Sequence, residues 1–171
     1  MLDKEIIKKY NVASPRYTSY PTILDWNRME FNSTEFEQVF TKEEKGLNHS
    51  TSIYIHLPFC ESLCTFCGCH KHITKQHSVE KPYVDALLKE WNLYNELNGS
   101  PIAVNEIHIG GGTPTFFSAA ELKRLLTPIV ENASKDGLYR VEGHPNHTST
   151  EQLETLFDLG FKRISFGVQD Y

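Results

Sequence analysis

Apolar and polar side chains first alternate clearly at Ser52. In Ser52–Leu57 (SIYIHL), Ile53, Ile55 and Leu57 share one side, and Tyr54 and His56 the other, which is the period of a β-strand. The period then lengthens: over Glu80–Leu97, Tyr83, Leu87, Trp91 and Tyr94 recur at helical spacing, with Pro82 where a first turn accepts it. Asn98-Gly99-Ser100-Pro101 stops this helix. Val104–Ile109 (VNEIHI) predicts a second strand. Ser118 and Glu121 have capping-box spacing ahead of an apolar helix face of Leu122, Leu125, Leu126, Ile129 and Val130, which Pro128 is expected to kink. Leu138–Glu142 predicts a third strand. Thr148 and Glu151 offer another capping box before Leu153, Leu156 and Phe157, and Gly160 sits where a helix cap belongs. Arg163–Val168 (RISFGV) predicts a fourth strand.

Strands alternating with helices imply βαβ units and an α/β fold with a parallel sheet. Right-handed crossovers put the helices on one side of a curling sheet. The first fifty residues differ. Met1–Lys9 predicts one or two helical turns, and Asn11–Trp26 (NVASPRYTSYPTILDW) reads as an extended arm. Phe31–Phe40 predicts a short helix with Phe36, Val39 and Phe40 on one side. The expected division is therefore an arm with short helices over 1–50 and a βα domain over 51–171. The chain stops at Tyr171, directly after a strand, where a sheet would keep an unpaired edge, so it is expected to be the N-terminal part of a longer protein.

Composition narrows the function classes. Apolar residues make up 39%, and ten glycines among 171 residues bring this to about 45%, the usual globular share. The net charge of −5 argues against a nucleic-acid partner, which calls for a basic domain. No apolar run approaches the ~20 residues that span a bilayer. Met1–Tyr10 is lysine-rich without an apolar centre, so it is no signal peptide. The default expectation is a cytoplasmic protein without a membrane partner.

The four cysteines, Cys60, Cys64, Cys67 and Cys69, fall within ten residues, too close to staple distant loops. Cys60-Glu-Ser-Leu-Cys64-Thr-Phe-Cys67 has the spacing C-x3-C-x2-C, and three thiolates this close suit an iron–sulfur cluster or zinc. Structural zinc usually takes a second cysteine knuckle, and none exists, although Cys69, His70 or His72 offers a fourth ligand. A [4Fe–4S] cluster held by three cysteines leaves one iron open for chemistry.

This spacing resembles the signature of the radical S-adenosylmethionine (SAM) superfamily. Its surroundings are Tyr54-Ile-His56-Leu-Pro58-Phe59-Cys60 before the loop, Gly68-Cys69 after it, and Pro15-Arg-Tyr-Thr-Ser-Tyr-Pro-Thr22 in the arm. With them the chain resembles the oxygen-independent coproporphyrinogen III oxidase family from the arm to Tyr171. That family's chains are more than twice as long. The fourth cysteine, in C-x3-C-x2-C-G-C, distinguishes it from the related haem chaperones. The resemblance implies a partial TIM-like (β/α) radical SAM barrel, truncated after about four strands. It also implies Cys60, Cys64 and Cys67 as ligands of a [4Fe–4S] cluster and SAM chelated on the open iron.

In a barrel of parallel strands, function gathers at the carboxyl ends. The four predicted strands end at the cysteine loop, at Gly110-Gly111-Gly112-Thr113-Pro114-Thr115, at Glu142-Gly143-His144-Pro145 and at Gly167-Val168-Gln169-Asp170. The glycines fit neither G-x-G-x-x-G nor a Walker A loop, and read either as a tight turn or as close backbone approach to a ligand. By resemblance, Gly111, Gly112 and Thr113 lie along the methionine part of SAM, Tyr54 and Glu142 also contact SAM, Phe66 contacts the adenine and Gln169 the ribose. Each has a plainer reading as a surface, packing or cap residue. Many family members read Glu-Val-Asp-Pro-Arg where this chain has Glu142-Gly-His144-Pro-Asn146, which leaves His144 and Asn146 without a family role. Cys69 and His56 are the candidate catalytic residues; His56 reads equally as a structural histidine. Arg16, Tyr17 and Tyr20 read as substrate contacts or as packing, and histidines 49, 70, 72, 77, 108 and 147 show no liganding pattern.

The implied activity is radical SAM decarboxylation of two propionates of coproporphyrinogen III to vinyls, giving protoporphyrinogen IX. It requires an external electron donor and acceptor, and the expected state is a monomer. The 171-residue segment alone is expected to bind cluster and SAM weakly and not to turn over. The alternatives are a radical SAM haem chaperone, a non-catalytic cluster-binding fragment and a zinc module.

Overall fold

A computed structural model describes residues 4–11, 32–46, 51–65 and 67–167. The chain divides into two compact units, Met1–Phe36 and Glu37–Tyr171. In the first lies helix α1, Lys4–Tyr10, with no buried residue. Helix α2, Ser33–Gly46, starts where Asn32 Oδ1 accepts the backbone N–H of Thr34 (3.0 Å) and Glu35 (3.3 Å), satisfying two of the donors that every helix start leaves free. The predicted arm, Asn11 apart, lies outside the described residues.

The second unit runs β1 (Thr51–Leu57), β2 (Phe59–Cys60), β3 (His72–Ile73), a 3-10 turn (His77–Val79), α3 (Glu80–Asn98) and β4 (Val104–Gly111). It continues with a 3-10 turn (Pro114–Phe116), α4 (Ala119–Val130), β5 (Ala133–Gly143), a 3-10 turn (Pro145–His147), α5 (Thr150–Asp158) and β6 (Arg163–Phe166). The main sheet is parallel, in the order β1-β4-β5-β6. Each predicted strand is present; β5 is longer than expected, and β2 and β3 form a separate parallel pair that the alternation did not signal.

One sheet face is apolar. Ile55, Leu57, Ile107, Ile109, Tyr139 and Val141 pack in one core with Val84 and Trp91 of α3, Leu122, Leu125, Leu126 and Ile129 of α4, and Leu156 of α5. Burying each such side chain contributes about 1.5–3 kcal/mol. The other face is polar and tied along its plane. Ser52 Oγ donates to Glu106 (2.9 Å), and Arg140 donates to the same carboxylate (2.9 Å).

The helix starts depart from the expected caps. The capping box of α5 is Ser149/Gln152, not Thr148/Glu151. Gln152 wins because it is buried and has further work: its Nε2 donates to Thr115 O (2.8 Å) and Phe117 O (2.6 Å), while its Oε1 accepts Ser149 N–H (2.7 Å). Thr148 instead donates to His144 O (2.8 Å). Of the three apolar residues expected on this helix, Leu156 is buried while Leu153 and Phe157 are exposed. At α4 half of the expected box forms. Ser118 Oγ accepts Glu121 N–H (3.3 Å), but Ser118 N–H goes to the buried Glu80 (2.8 Å) and Glu121 pairs with Arg124.

Replacing Gln152 with Leu strands two buried carbonyls and removes the acceptor of Ser149 N–H, the reciprocal half of the cap. Gln152→Leu is expected to lower unfolding stability by about 2–4 kcal/mol, read as a shift in the urea midpoint with an unchanged slope.

Candidate functional site

The site is assembled where the main strands end. β1 runs through Pro58 into β2, and the β2–β3 pairing closes the base of the cysteine loop: His72 N–H donates to Pro58 O (2.8 Å) and Thr74 N–H to Cys60 O (2.9 Å). Between these ties the chain bends back on itself, with Cys67 N–H on Cys64 O (3.1 Å). The glycine run leaving β4 passes beneath. Gly112 N–H donates to Leu57 O (2.9 Å), Thr113 N–H to Phe59 O (3.0 Å), and the Thr113 hydroxyl to Cys60 Sγ (3.2 Å). A Cβ on Gly112 would stand 2.5 Å from Pro58 O and 2.8 Å from Cys60 Sγ, so only glycine leaves that space open.

A cavity of about 410 Å³ results. All four cysteines line it, facing Gly111–Thr113 at the end of β4, Glu142 and His144 at the end of β5, and Ser165 and Gly167 at the end of β6. The carboxyl-end prediction therefore holds for all four main strands as far as Gly167. Phe66 and Gln169 lie outside the described residues.

Tyr54 and His56 stand on the polar face of β1. His56 Nε2 lies 2.9 Å from His70 O, and its Nδ1 lies 3.1 Å from the Tyr54 hydroxyl. A carbonyl only accepts, so Nε2 carries a proton, and in the neutral ring Nδ1 accepts from Tyr54. Both nitrogens are thus engaged, and His56 anchors the exit of the cysteine loop. Glu142 Oε1 lies 3.2 Å from His108 Nε2, and the Tyr54 ring meets His108 edge-on at 5.6 Å. A Cβ on Gly110 would approach Glu142 Oε2 at 2.9 Å and the Tyr54 ring at 3.1 Å, so glycine there seats both side chains. Lys71, whose Nζ donates to Cys67 O (3.4 Å), lines the cavity, and His108 stands behind its Glu142, although no spacing marked either. The period-two alternation with Tyr54 and Glu142 on neighbouring strands could have placed His108 there.

Burial raises the Cys60 thiol above its ordinary pKa, and Cys67 and Cys64 raise it further against the opposing Thr113 hydrogen bond. Cys69 is raised by burial first and then by Cys67. Tyr54 is raised by burial, then by Glu142 and Cys69. Desolvation and neighbouring negative charge both disfavour the ionised forms.

Among the described residues no group of three or more His, Cys, Asp or Glu side chains converges on a single metal ion. The four thiols all line the cavity wall. A multi-iron cluster suits this arrangement: the donors are soft thiols, three of them on one short loop, and the Gly112 space that a Cβ would fill lies against Cys60.

Two outcomes follow from this geometry. Gly112→Ala is expected to leave the far-ultraviolet spectrum unchanged and to cut iron uptake at least about tenfold, measured by anaerobic iron titration. In the metal-free chain Cys60 should alkylate more slowly at pH 7.5 than a free cysteine. Its raised pKa keeps it protonated there, so the rate should climb as pH rises through that pKa, as mass spectrometry of iodoacetamide adducts would record.

Comparison with known proteins agrees with this geometry. The Radical SAM superfamily profile matches residues 54–171. The oxygen-independent coproporphyrinogen III oxidase of Helicobacter pylori (strain 26695) is 40% identical over 99% of this chain and 38% of its own length. The protein of that name from Escherichia coli K12 is 38% identical over 99% of this chain and 36% of its own length. The one from Mannheimia haemolytica is 37% identical over 84% of this chain and 96% of its own length. A solved Escherichia coli coproporphyrinogen III oxidase, described as a radical SAM enzyme, superposes with a TM-score of 0.81 at 35% identity, covering 98% of this chain and 36% of that one. The chain thus spans somewhat over a third of the length of the first two relatives, and its parallel sheet with one-sided helices is part of the radical SAM α/β barrel. The chain belongs to the Radical SAM superfamily and, within it, to the family of the oxygen-independent coproporphyrinogen III oxidases.

Proposed function

We propose that this chain is the cluster- and SAM-binding portion of an enzyme that decarboxylates two propionates of coproporphyrinogen III to vinyls without oxygen, giving protoporphyrinogen IX. The observation that carries the reading is the cavity in which three loop thiols face the glycine run of β4 and Glu142 of β5. Cys60, Cys64 and Cys67 would hold a [4Fe–4S] cluster. When bound and reduced, that cluster would supply the electron that cleaves SAM to the radical which takes a substrate hydrogen.

The chain's own residues do the rest by position. Gly111 and Gly112 offer backbone without side-chain bulk to the methionine part of SAM, and Thr113 holds Cys60 in place through its hydroxyl. Glu142 presents a carboxylate oriented by His108, suited to an ammonium group. Tyr54 closes the same corner. Phe66 for the adenine and Gln169 for the ribose rest on the family resemblance alone. Cys69 lines the cavity beyond the three ligands and is exposed, which suits a role near substrate. His56 acts as a positioning residue for the loop exit rather than as a free base. An external electron donor and acceptor, a monomeric state and a cytoplasmic setting complete the reading. No described helix is long and apolar enough to cross a membrane.

Anoxic reconstitution should give about four iron and four sulfide per chain. Cys60→Ala, Cys64→Ala and Cys67→Ala should each abolish uptake, while Cys69→Ala should keep it. One zinc without sulfide would overturn the reading. For the reaction itself, a chimera in which these 171 residues replace the matching segment of the Escherichia coli relative should convert coproporphyrinogen III. A chimera that binds its cluster and SAM but yields no protoporphyrinogen would exclude the oxidase assignment.

A further inference from the structure

The loop between Cys60 and Cys64 has one side chain tied to other elements. Among the described residues, no backbone or side-chain hydrogen bond joins Ser62, Leu63 or Thr65 to the rest of the fold. Glu61 is the exception. Its Oε1 lies 3.5 Å from His77 Nε2, and its Oε2 lies 3.5 Å from His147 Nδ1. The two histidines come from different connections, His77 from the turn before α3 and His147 from the turn after β5. His77 is itself fixed. Its ring stacks on the buried Phe116 at 4.5 Å, and its Nδ1 lies 2.6 Å from Glu80, which is 4% exposed. The other Glu80 oxygen accepts Ser118 N–H at the start of α4 (2.8 Å). The first gap of the cysteine motif is thereby tied to three successive strand-to-helix connections.

We propose that Glu61 is a positioning residue of the cysteine loop, its carboxylate held between His77 and His147 so that Cys64 stands at a set place relative to Cys60. The inference rests on the cluster reading of the site. His77 Nδ1 donates to Glu80, so Nε2 donates to Glu61 only from the imidazolium; an exposed contact of this kind contributes little to global stability, with a median near 0–1 kcal/mol. Its effect is local: Cys60 is already fixed by the β2–β3 ladder and by Thr113, whereas Cys64 depends on how the intervening residues lie. Groups beyond the ligands that orient a metal site commonly change its affinity by about 10–100-fold.

The test uses the 171-residue chain with Glu61→Ala and Glu61→Gln, all at pH 6.0, where an ordinary imidazole is largely protonated. Glutamine keeps one acceptor in place and removes the charge. Proteolytic nicking within residues 61–65 is read before reconstitution, and iron release to a chelator afterwards. Glu61→Ala should speed loop nicking and iron release by about tenfold, with an unchanged urea midpoint, and Glu61→Gln should recover a large part of both. Wild-type nicking and release rates in Glu61→Ala would overturn the proposal while leaving the cluster reading intact. A wild-type chain that takes up no iron would overturn the cluster reading itself. A fallen urea midpoint with faster nicking throughout the chain would make Glu61 a stability residue and overturn its positioning role.

Discussion

The structure turns on the close passage of two backbones. The glycine run leaving β4 slides under Pro58–Cys60 with so little room that a methyl group at position 112 would meet both a carbonyl and a thiol. Because it fits, the N–H groups of Gly112 and Thr113 find acceptors on the segment above, and the threonine hydroxyl reaches the first cysteine. The cavity, the placement of Glu142 and the seating of the loop all follow from that approach. The core beneath is ordinary: a parallel sheet with helices on one side, whose apolar face sets the height at which the strands end.

Much of this was legible in the residue order. Alternation over Ser52–Leu57 and Val104–Ile109 and helical spacing over Glu80–Leu97 sufficed for the βα order, since each face is buried or open as a unit. The cysteine spacing carried the chemistry, because few arrangements bring three thiols together within eight residues. That unusual segments gather at one end of a parallel sheet is a consequence of topology, and the cavity lining shows it for Cys60, Gly111, Glu142 and Ser165.

What the order of residues did not reveal depends on contacts distant in the chain. Thr148 and Glu151 satisfy the local capping rule as well as Ser149 and Gln152 do. The choice falls to the amide of Gln152, which also reaches the carbonyls of Thr115 and Phe117 more than thirty residues away. Glu80 looks like an acidic first-turn residue and is in fact buried, because it serves Ser118 and His77 together. Histidines without ligand spacing, 77, 108 and 147, turned out to orient carboxylates. Such pairs leave no periodic trace.

The double engagement of His56 has a mechanical consequence. Its ring holds the carbonyl of residue 70, and its own carbonyl receives the hydroxyl of Tyr83 from α3 (2.8 Å). Displacing the end of the loop would leave the imidazole N–H without an acceptor, while the same residue's backbone stays leashed to the helix. Residue 56 is therefore a fulcrum: a tug on the exit of the sulfur-bearing segment travels through a single residue to a nineteen-residue lever.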